Sequence, residues 1–234
     1  MYFFLYYPSK TINPEQELGY ETKIINMKKV YKFILQTLNL KSLAIIRSVI
    51  SYNKKGAEEL SKNDTLEIYN EQKEYFKQLI ETGYNTSLID FGCGTGRYLE
   101  IFTNFNFIHL VDVSKENLKL ASIKADDIGI KYKIIRSSIF SLNTQVDIFF
   151  SVGVFGQFYQ LDSKILEKIH SLLSKNGKAV FTVKIKEQSD NEVLALSDVK
   201  VKKLFQDYNY KIHKKFFKGL EGKEYLFNVV ELKK

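Results

Sequence analysis

The sequence has one cysteine, Cys93, which excludes a disulfide framework or a thiolate-rich metal site within one chain. Its three histidines, His109, His170 and His213, lack the spacing of zinc ligands, so we expect no metal centre. No apolar run approaches the ~20 residues that span a bilayer, so we expect no transmembrane segment. The run MYFFLYY lacks the basic region and cleavage site of a signal peptide. Together these absences predict a protein of the reducing cytoplasm.

The composition is that of a globular chain. The 234 residues are 44% hydrophobic and 26% charged, which excludes a disordered protein and predicts one domain with at most a modest appendage. The formal net charge is +8, and residues 160–234 hold most of the excess, with 16 basic and 10 acidic residues. A basic face there favours nucleic acid or an anionic substrate, but a Lys- and Asn-rich composition explains the same charge without any partner.

Residues 1–60 are predicted to form an N-terminal arm and a helical lid or extension. Both prolines, Pro8 and Pro14, fall in an irregular first segment, and residues 25–50 then place apolar residues at helical spacing. These helices are candidates for a lid, for the contact of a homodimer or for a membrane surface, and we favour a lid or packing role. Asp64, with an acidic residue three positions on, is predicted to cap the following helix at its N-terminus.

Residues 61–234 are predicted to form a Rossmann-like domain, because short apolar runs alternate with amphipathic ones. The predicted helices are Arg97–Phe105, Ser114–Ile128, Asp162–Leu173 and Val199–Tyr208. The predicted strands are Ser87–Phe91, Phe107–Val113, Tyr132–Arg136, Val146–Val152, Lys178–Lys184, Lys211–Phe217 and Glu224–Leu232. The fold class is therefore α/β, with a doubly wound, mostly parallel seven-stranded sheet, a C-terminal antiparallel hairpin and an N-terminal helical extension.

A glycine-rich turn follows the first predicted strand in the segment LIDFGCGTGR. Gly92, Gly94 and Gly96 let the main chain approach a ligand closely, and free N–H groups after such a turn favour a nucleotide. The spacing G-x-G-x-G differs from the G-x-G-x-x-G of dinucleotide sites, and Asp90 lies two positions before the first glycine. That carboxylate suits a cationic group and would repel a pyrophosphate, which disfavours a dehydrogenase.

A second carboxylate, Asp112, lies near the end of the second predicted strand, 22 residues after Asp90. An acidic residue at this place accepts hydrogen bonds from the ribose hydroxyls of a nucleoside. Two carboxylates beside a glycine turn therefore fit a ligand that carries both an ammonium group and an adenosine, as S-adenosylmethionine does.

Residues 87–183 resemble the core of the class I, Rossmann-like S-adenosylmethionine-dependent methyltransferases. The resemblance rests on four motifs in the family's order: LIDFGCGTG, LVDVS, VDIFFSVGVFGQF and LLSKNGKAVFTV. It implies an enzyme that uses S-adenosyl-L-methionine and releases S-adenosyl-L-homocysteine.

The same resemblance implies a set of cofactor-binding residues. Asp90, directly or through a water, is expected at the methionine amino group, Asp112 at the ribose hydroxyls and Val113 against the adenine. Ser138 stands where the family often has an acidic residue, which leaves the contact to the adenine amino group open. The other implied residues are Tyr69, Gly92, Cys93, Gly94, Thr95, Gly96, Ile139, Ser151, Val152 and Gly153.

The acceptor is less well defined by the sequence. Phe155, Gln157, Phe158 and Tyr159 follow the fourth strand, where this family's acceptor pocket lies, and His213 is a weaker candidate; core packing is the alternative. No catalytic base is assigned. We expect methyl transfer to an O or N atom of a small molecule, such as a sugar, a polysaccharide precursor or another metabolite. An RNA methyltransferase using the basic C-terminal third and a non-catalytic methyltransferase-like subunit are the alternatives.

Overall fold

The computed structural model describes residues 52–81, 86–186, 194–219, 222 and 224–234. The helices predicted within residues 25–50 lie outside these ranges, and so does most of the predicted lid and dimer contact. Among the described residues, no helix combines the length and the apolar composition needed to cross a membrane.

The described elements alternate as the sequence predicts. The helices are α1 (Lys54–Asp64), α2 (Asn70–Ile80), α3 (Lys115–Ile128), α4 (Ser163–Leu172) and α5 (Asp198–Phe205). The strands are β1 (Ser87–Phe91), β2 (Phe107–Asp112), β3 (Tyr132–Arg136), β4 (Val146–Phe155), β5 (Leu173–Val183), β6 (Asn209–Lys218) and β7 (Glu224–Lys233). Four helices begin at a side chain that accepts a hydrogen bond from the backbone three residues on, as N-caps do: Asn53, Ser114, Asp162 and Ser197.

These seven strands form one sheet in the order β3-β2-β1-β4-β5-β7-β6. Strands β1 to β5 are parallel to their neighbours in that series, and β7 is inserted antiparallel between β5 and β6. The predicted doubly wound, mostly parallel sheet with a C-terminal antiparallel hairpin is therefore confirmed. The strand order reverses between β1 and β4, and ligands of such sheets bind at the carboxyl ends of the strands beside this reversal.

Apolar side chains cover both faces of the sheet. On one face, Phe76 of α2 packs on Phe150 of β4, and Leu118 of α3 belongs to the same apolar cluster. On the other face, α4 and α5 pack through residues such as Leu166 and Phe205. Because both faces are buried, the central strands read as nearly continuous apolar runs. The two cores fix the carboxyl ends of β1, β2 and β4 relative to one another.

Two local predictions are wrong. Asp64 is the last residue of α1 rather than the N-cap of the next helix, because its carboxylate bonds to Thr95 and Arg97 in the loop after β1. The predicted helix Arg97–Phe105 is reduced to the 3-10 turn Leu99–Phe102. Leu99, Ile101 and Phe102 are all buried, so packing on more than one side replaces the single apolar stripe of a surface helix.

Candidate functional site

Asp90 is a buried carboxyl group at the carboxyl end of β1. It is only 2% exposed, and no described residue donates a hydrogen bond to its Oδ2. Burial, together with the negative charge of Asp112, raises the pKa of Asp90 to about 8. A buried carboxyl oxygen without a partner is costly to the fold, so Oδ2 is placed to receive a cationic or hydrogen-bonding ligand group.

Asp112 closes β2 and faces the glycine turn. Its Oδ2 accepts a hydrogen bond from the Gly94 N–H at 3.0 Å, and its Oδ1 accepts one from the Ser114 N–H at 2.8 Å. The amide of Asn117 lies 3.5 Å from Oδ2. Burial raises the pKa of Asp112, and these hydrogen bonds oppose that rise. Oδ2 already has two donors, whereas Oδ1 accepts from the Ser114 N–H and keeps a lone pair for a ligand hydroxyl.

The turn that joins β1 to the following segment adopts backbone angles that favour glycine. The φ angles of Gly92, Gly94 and Gly96 are 72°, 56° and 89°. The N–H groups of Gly92 and Cys93 both donate to the carbonyl of Val111, at 2.7 and 3.1 Å, which ties the turn to β2. The buried Cys93 thiol has its pKa raised by burial and lies 3.6 Å from the Gly94 carbonyl, so it fills space within the turn.

Replacing Gly92 with Ala is expected to destabilise the fold. A Cβ at Gly92 would lie 2.3 Å from Cγ2 of Val154, at a φ of 72° that L-residues rarely adopt. We expect a loss of about 2–5 kcal/mol in the free energy of unfolding, measured by urea denaturation. Gly129→Ala is the matched control, since φ there is 76° but nothing lies within 4 Å of the new Cβ. Equal losses in the two variants would contradict the packing argument.

The segment before and within α1 covers the turn from outside. The carbonyl of Tyr52 accepts a hydrogen bond from Ser114 Oγ at 2.9 Å, and the Tyr52 ring lies 5.7 Å from that of Phe158. A Cβ placed on Gly94 would lie 3.5 Å from Cδ2 of Leu60. Tyr52 therefore bridges the end of β2 and the segment after β4, on either side of the strand reversal.

The candidate floor of the site comes from the outer half of β4. Ser151 is buried and donates its hydroxyl to the carbonyl of Phe91 at 2.8 Å. The Gly153 N–H donates to Thr182 Oγ1 at 2.8 Å, and Gly153 has a φ of 77°. Gln157 turns back toward this glycine, since its Oε1 lies 3.9 Å from the position of a Cβ there. The structure thus brings Gln157 and Gly153 together.

The remaining predicted cofactor residues divide into two groups. Val113 and Ser138 are half-buried near the carboxyl ends of β2 and β3, and the Val113 carbonyl accepts a hydrogen bond from Arg136 Nε at 3.1 Å. Val152 is half-buried in β4, while Ile139 is fully buried in the core beneath α4. The second group lies beside α1: Thr95 bonds Asp64, and the Tyr69 ring lies 4.0 Å from the Arg97 guanidinium carbon.

The predicted acceptor residues are separated by the structure. Phe155 is part of the core, with its ring 6.1 Å from Phe91, and Phe158 is buried against Tyr52. Tyr159 is also buried, no described residue bonds its hydroxyl, and burial and the charge of Asp112 raise its pKa to about 12. His213 lies on the outer strand β6 and pairs with Glu231 on β7, so the structure does not bring it to this edge.

Asp64 is the residue that sequence reasoning missed. Its carboxylate accepts hydrogen bonds from Thr95 Oγ1 and, at 2.8 Å, from Arg97 Nε. The signal in the sequence was an acidic residue followed three positions later by another, which is also the pattern of a helix start. Only the tertiary contact to the glycine turn distinguishes the two interpretations.

Comparison with known proteins identifies a family for most of this region. The sequence profile of a family described as "Methyltransferase domain" matches residues 82–225, more than half of the chain. No curated protein matches the chain in sequence.

Several solved structures share the fold. The DhpI-SAM-HEP complex is 14% identical with a TM-score of 0.59, over 81% of this chain and 97% of that chain. Magnesium protoporphyrin IX methyltransferase (ChlM) from Synechocystis PCC 6803 with bound SAH is 11% identical with a TM-score of 0.57, over 71% and 84%. A SAM dependent methyltransferase from Aquifex aeolicus is 17% identical with a TM-score of 0.53, over 77% and 98%.

Proposed function

Because the chain belongs to the methyltransferase domain family, as a class I S-adenosylmethionine-dependent enzyme, we propose that it transfers a methyl group to an O or N atom of a small molecule. S-adenosylmethionine is the methyl donor of such enzymes. The proposal concerns the acceptor class and the residues that hold donor and acceptor.

The described residues fit the donor. The unpartnered Oδ2 of Asp90 suits the methionine ammonium group or a water bound to it. The carboxylate of Asp112 already orders the backbone of Gly94 and Ser114, and its Oδ1 keeps a lone pair for a ribose hydroxyl. A side chain at Gly92 would collide with Val154, so the open backbone beside Asp90 depends on glycine there. These three features support a cofactor site at the carboxyl ends of β1 and β2.

The protein contributes to the reaction by aligning the acceptor with the methyl group of the donor and by excluding water from the site. The bound donor supplies an electrophilic methyl group on a sulfonium, so the protein has to orient an acceptor lone pair toward it. Gln157, beside Gly153, offers an amide that can hold a hydroxyl or amine by hydrogen bonds. The Tyr159 hydroxyl is a second candidate partner for the acceptor, since no described residue bonds it.

One observation carries the preference for a small acceptor. Tyr52 crosses the edge of the sheet, bonded to Ser114 on one side and packed on Phe158 on the other. This bridge covers the end of β2 and the segment after β4, which favours a compact acceptor over a nucleic acid strand at this edge of the sheet. Among the basic residues of the last third, Lys215 on β6 pairs with Glu71 on α2 at 3.2 Å, so this lysine is already partnered within the chain.

An acceptor screen tests this proposal. Methyl-labelled S-adenosylmethionine is incubated with pools of sugars, nucleotide sugars and other metabolites, and separately with total RNA. We expect transfer to a small molecule, and Gln157→Ala should raise the KM for that acceptor more than the KM for the donor. Gln206→Ala on the surface after α5 is the matched control. Transfer to RNA alone, with the steep salt dependence of phosphate binding, would replace the small-molecule proposal.

The affinity for S-adenosylhomocysteine is expected to rise with pH. With a pKa of about 8, Asp90 is protonated in the free protein below that pH and must release its proton to pair with the ligand ammonium. The dissociation constant should therefore fall by up to about tenfold per pH unit between about pH 6 and pH 8. Calorimetry in two buffers of different ionisation enthalpy measures the released proton. A pH-independent constant would contradict the pairing.

The predicted cytoplasmic location and the homodimer through the N-terminal helices stay predictions. The helices that would form the dimer lie outside the described residues, and sedimentation of the full chain measures the oligomeric state directly. The proposed lid of residues 1–60 is supported at its last part by the contacts of Tyr52 and Leu60.

A further inference from the structure

Asp64 is a buried carboxylate in an unfavourable place. It is 2% exposed and is the last residue of α1, where the helix macrodipole repels negative charge. A carboxylate in such a position is retained only when specific partners compensate for its burial. Its partners here come from the glycine turn, which is about thirty residues away in sequence.

The carboxylate has two partners, one on each oxygen. Oδ2 accepts the hydroxyl proton of Thr95, and Oδ1 accepts the Arg97 Nε–H at 2.8 Å. The Tyr69 ring covers the other side of the guanidinium, 4.0 Å from its carbon. Charge-assisted bonds of this kind are about twice as strong as neutral ones.

These contacts hold the turn at residues other than the one that Asp112 bonds. Thr95 lies between Gly94 and Gly96, which both have positive φ. The hydrogen bond of the Thr95 side chain therefore restrains the backbone between these two glycines. Asp112 fixes the Gly94 N–H, and Asp64 fixes the Thr95 hydroxyl. Two carboxylates therefore each bond one residue of the turn. Of the two, only Asp112 is proposed to bind the ribose.

We propose that Asp64 is a positioning residue for the cofactor. It holds Thr95 and Arg97 so that the turn keeps its binding conformation, and it thereby links closure of the segment 52–64 to occupancy of the site. This inference rests on the proposed cofactor site. Asp64 itself does not touch the cofactor in this account.

A double-mutant cycle tests the proposal. Asp64→Ala, Asp64→Asn, Thr95→Val and the double variant Asp64→Ala/Thr95→Val are titrated with S-adenosylhomocysteine well below their melting temperatures. We expect Asp64→Ala to weaken binding by about 10- to 100-fold and Asp64→Asn, which keeps one acceptor oxygen, by less. The double variant should bind about as weakly as Asp64→Ala alone, because both changes break the same contact. Glu59→Gln, on an exposed position of α1, is the matched control.

Hydrogen exchange of α1 separates positioning from mere stability. In the wild type, S-adenosylhomocysteine should slow exchange in α1, and in Asp64→Ala this slowing should be lost even though the protein is folded. Retained slowing in Asp64→Ala, affinity within about twofold of wild type in both Asp64→Ala and Thr95→Val, or additive losses in the double variant would each overturn the proposal.

Asp112→Ala distinguishes this proposal from the cofactor site on which it rests. Binding that is lost in Asp112→Ala but retained in Asp64→Ala and Thr95→Val overturns the role of Asp64 alone. A folded wild type that does not bind S-adenosylhomocysteine overturns the cofactor site and this inference together.

Discussion

Replacing Asp90 with Asn is expected to stabilise the protein at about pH 8 and to weaken its affinity for S-adenosylhomocysteine. The two effects have one cause. Burial raises the pKa of Asp90 from an ordinary value of 3.8 to about 8, so the folded protein holds this proton more tightly than the unfolded chain does. The stability that this proton contributes is complete below about pH 4 and is lost as the pH rises through about 8.

The neutral Asn side chain does not ionise and escapes that loss. A pKa difference of this size lowers the free energy of unfolding by several kcal/mol at neutral pH. Asn avoids this loss, although burying its amide offsets part of the gain. We therefore expect the melting temperature of Asp90→Asn at about pH 8 to exceed that of the wild type by at least about 3 °C. The affinity should fall by about 100-fold, because the amide gives no charged partner to the ligand ammonium.

Asp147→Asn is the matched control, with the opposite expected sign. Asp147 lies at the start of β4 and accepts hydrogen bonds from the Ser87 N–H at 2.9 Å and from Ser174 Oγ at 2.7 Å. Burial opposes the effect of these bonds, but on balance they lower its pKa, so Asp147 stabilises the fold above its ordinary pKa. Asp147→Asn should melt at a lower temperature and keep its affinity. If Asp90→Asn also melted below the wild type at about pH 8, the electrostatic account of Asp90 would be wrong.

Asp112→Ala is expected to abolish most of the cofactor affinity. The carboxylate orders the turn through the Gly94 N–H and is the proposed partner of a ribose hydroxyl, so the substitution removes a binding group and loosens the loop. Loss of two charge-assisted hydrogen bonds corresponds to at least about 100-fold in the dissociation constant. Calorimetric titration with S-adenosylhomocysteine measures it.

The control for Asp112→Ala is Asp127→Ala, an exposed position near the end of α3. It makes the same change of charge without contact to the site. If Asp112→Ala bound S-adenosylhomocysteine as well as Asp127→Ala does, the ribose position would have to lie elsewhere.

The sheet was predictable because its signals are local. The first strand is confirmed at Ser87–Phe91, and Ser114 caps the helix after β2 as predicted. Glycines with positive φ mark the turn that carries the candidate site, and apolar runs mark strands that are buried on both faces. These features depend on a few neighbouring residues, so they can be predicted without knowledge of the contacts between distant segments.

The acceptor side was less predictable, because its residues look alike in sequence. Phe155 and Gln157 follow the same strand, yet Phe155 packs on Phe91 and Phe181 while Gln157 turns toward Gly153. His213 is predicted as an acceptor-site residue, but in the structure it pairs with Glu231, because β6 and β7 are antiparallel neighbours. Such outcomes depend on contacts between segments far apart in the chain, which local patterns do not encode.

The most direct test is calorimetric titration of the wild-type protein with S-adenosylhomocysteine at about pH 7, where Asp90 is mostly protonated, in two buffers of different ionisation enthalpy. The product is used because it cannot turn over. We expect one site per chain with micromolar or tighter affinity and release of a proton from Asp90. A protein that is folded by circular dichroism and gives no binding heat in two buffers would contradict the claim that this glycine turn and its carboxylates hold the methyl donor.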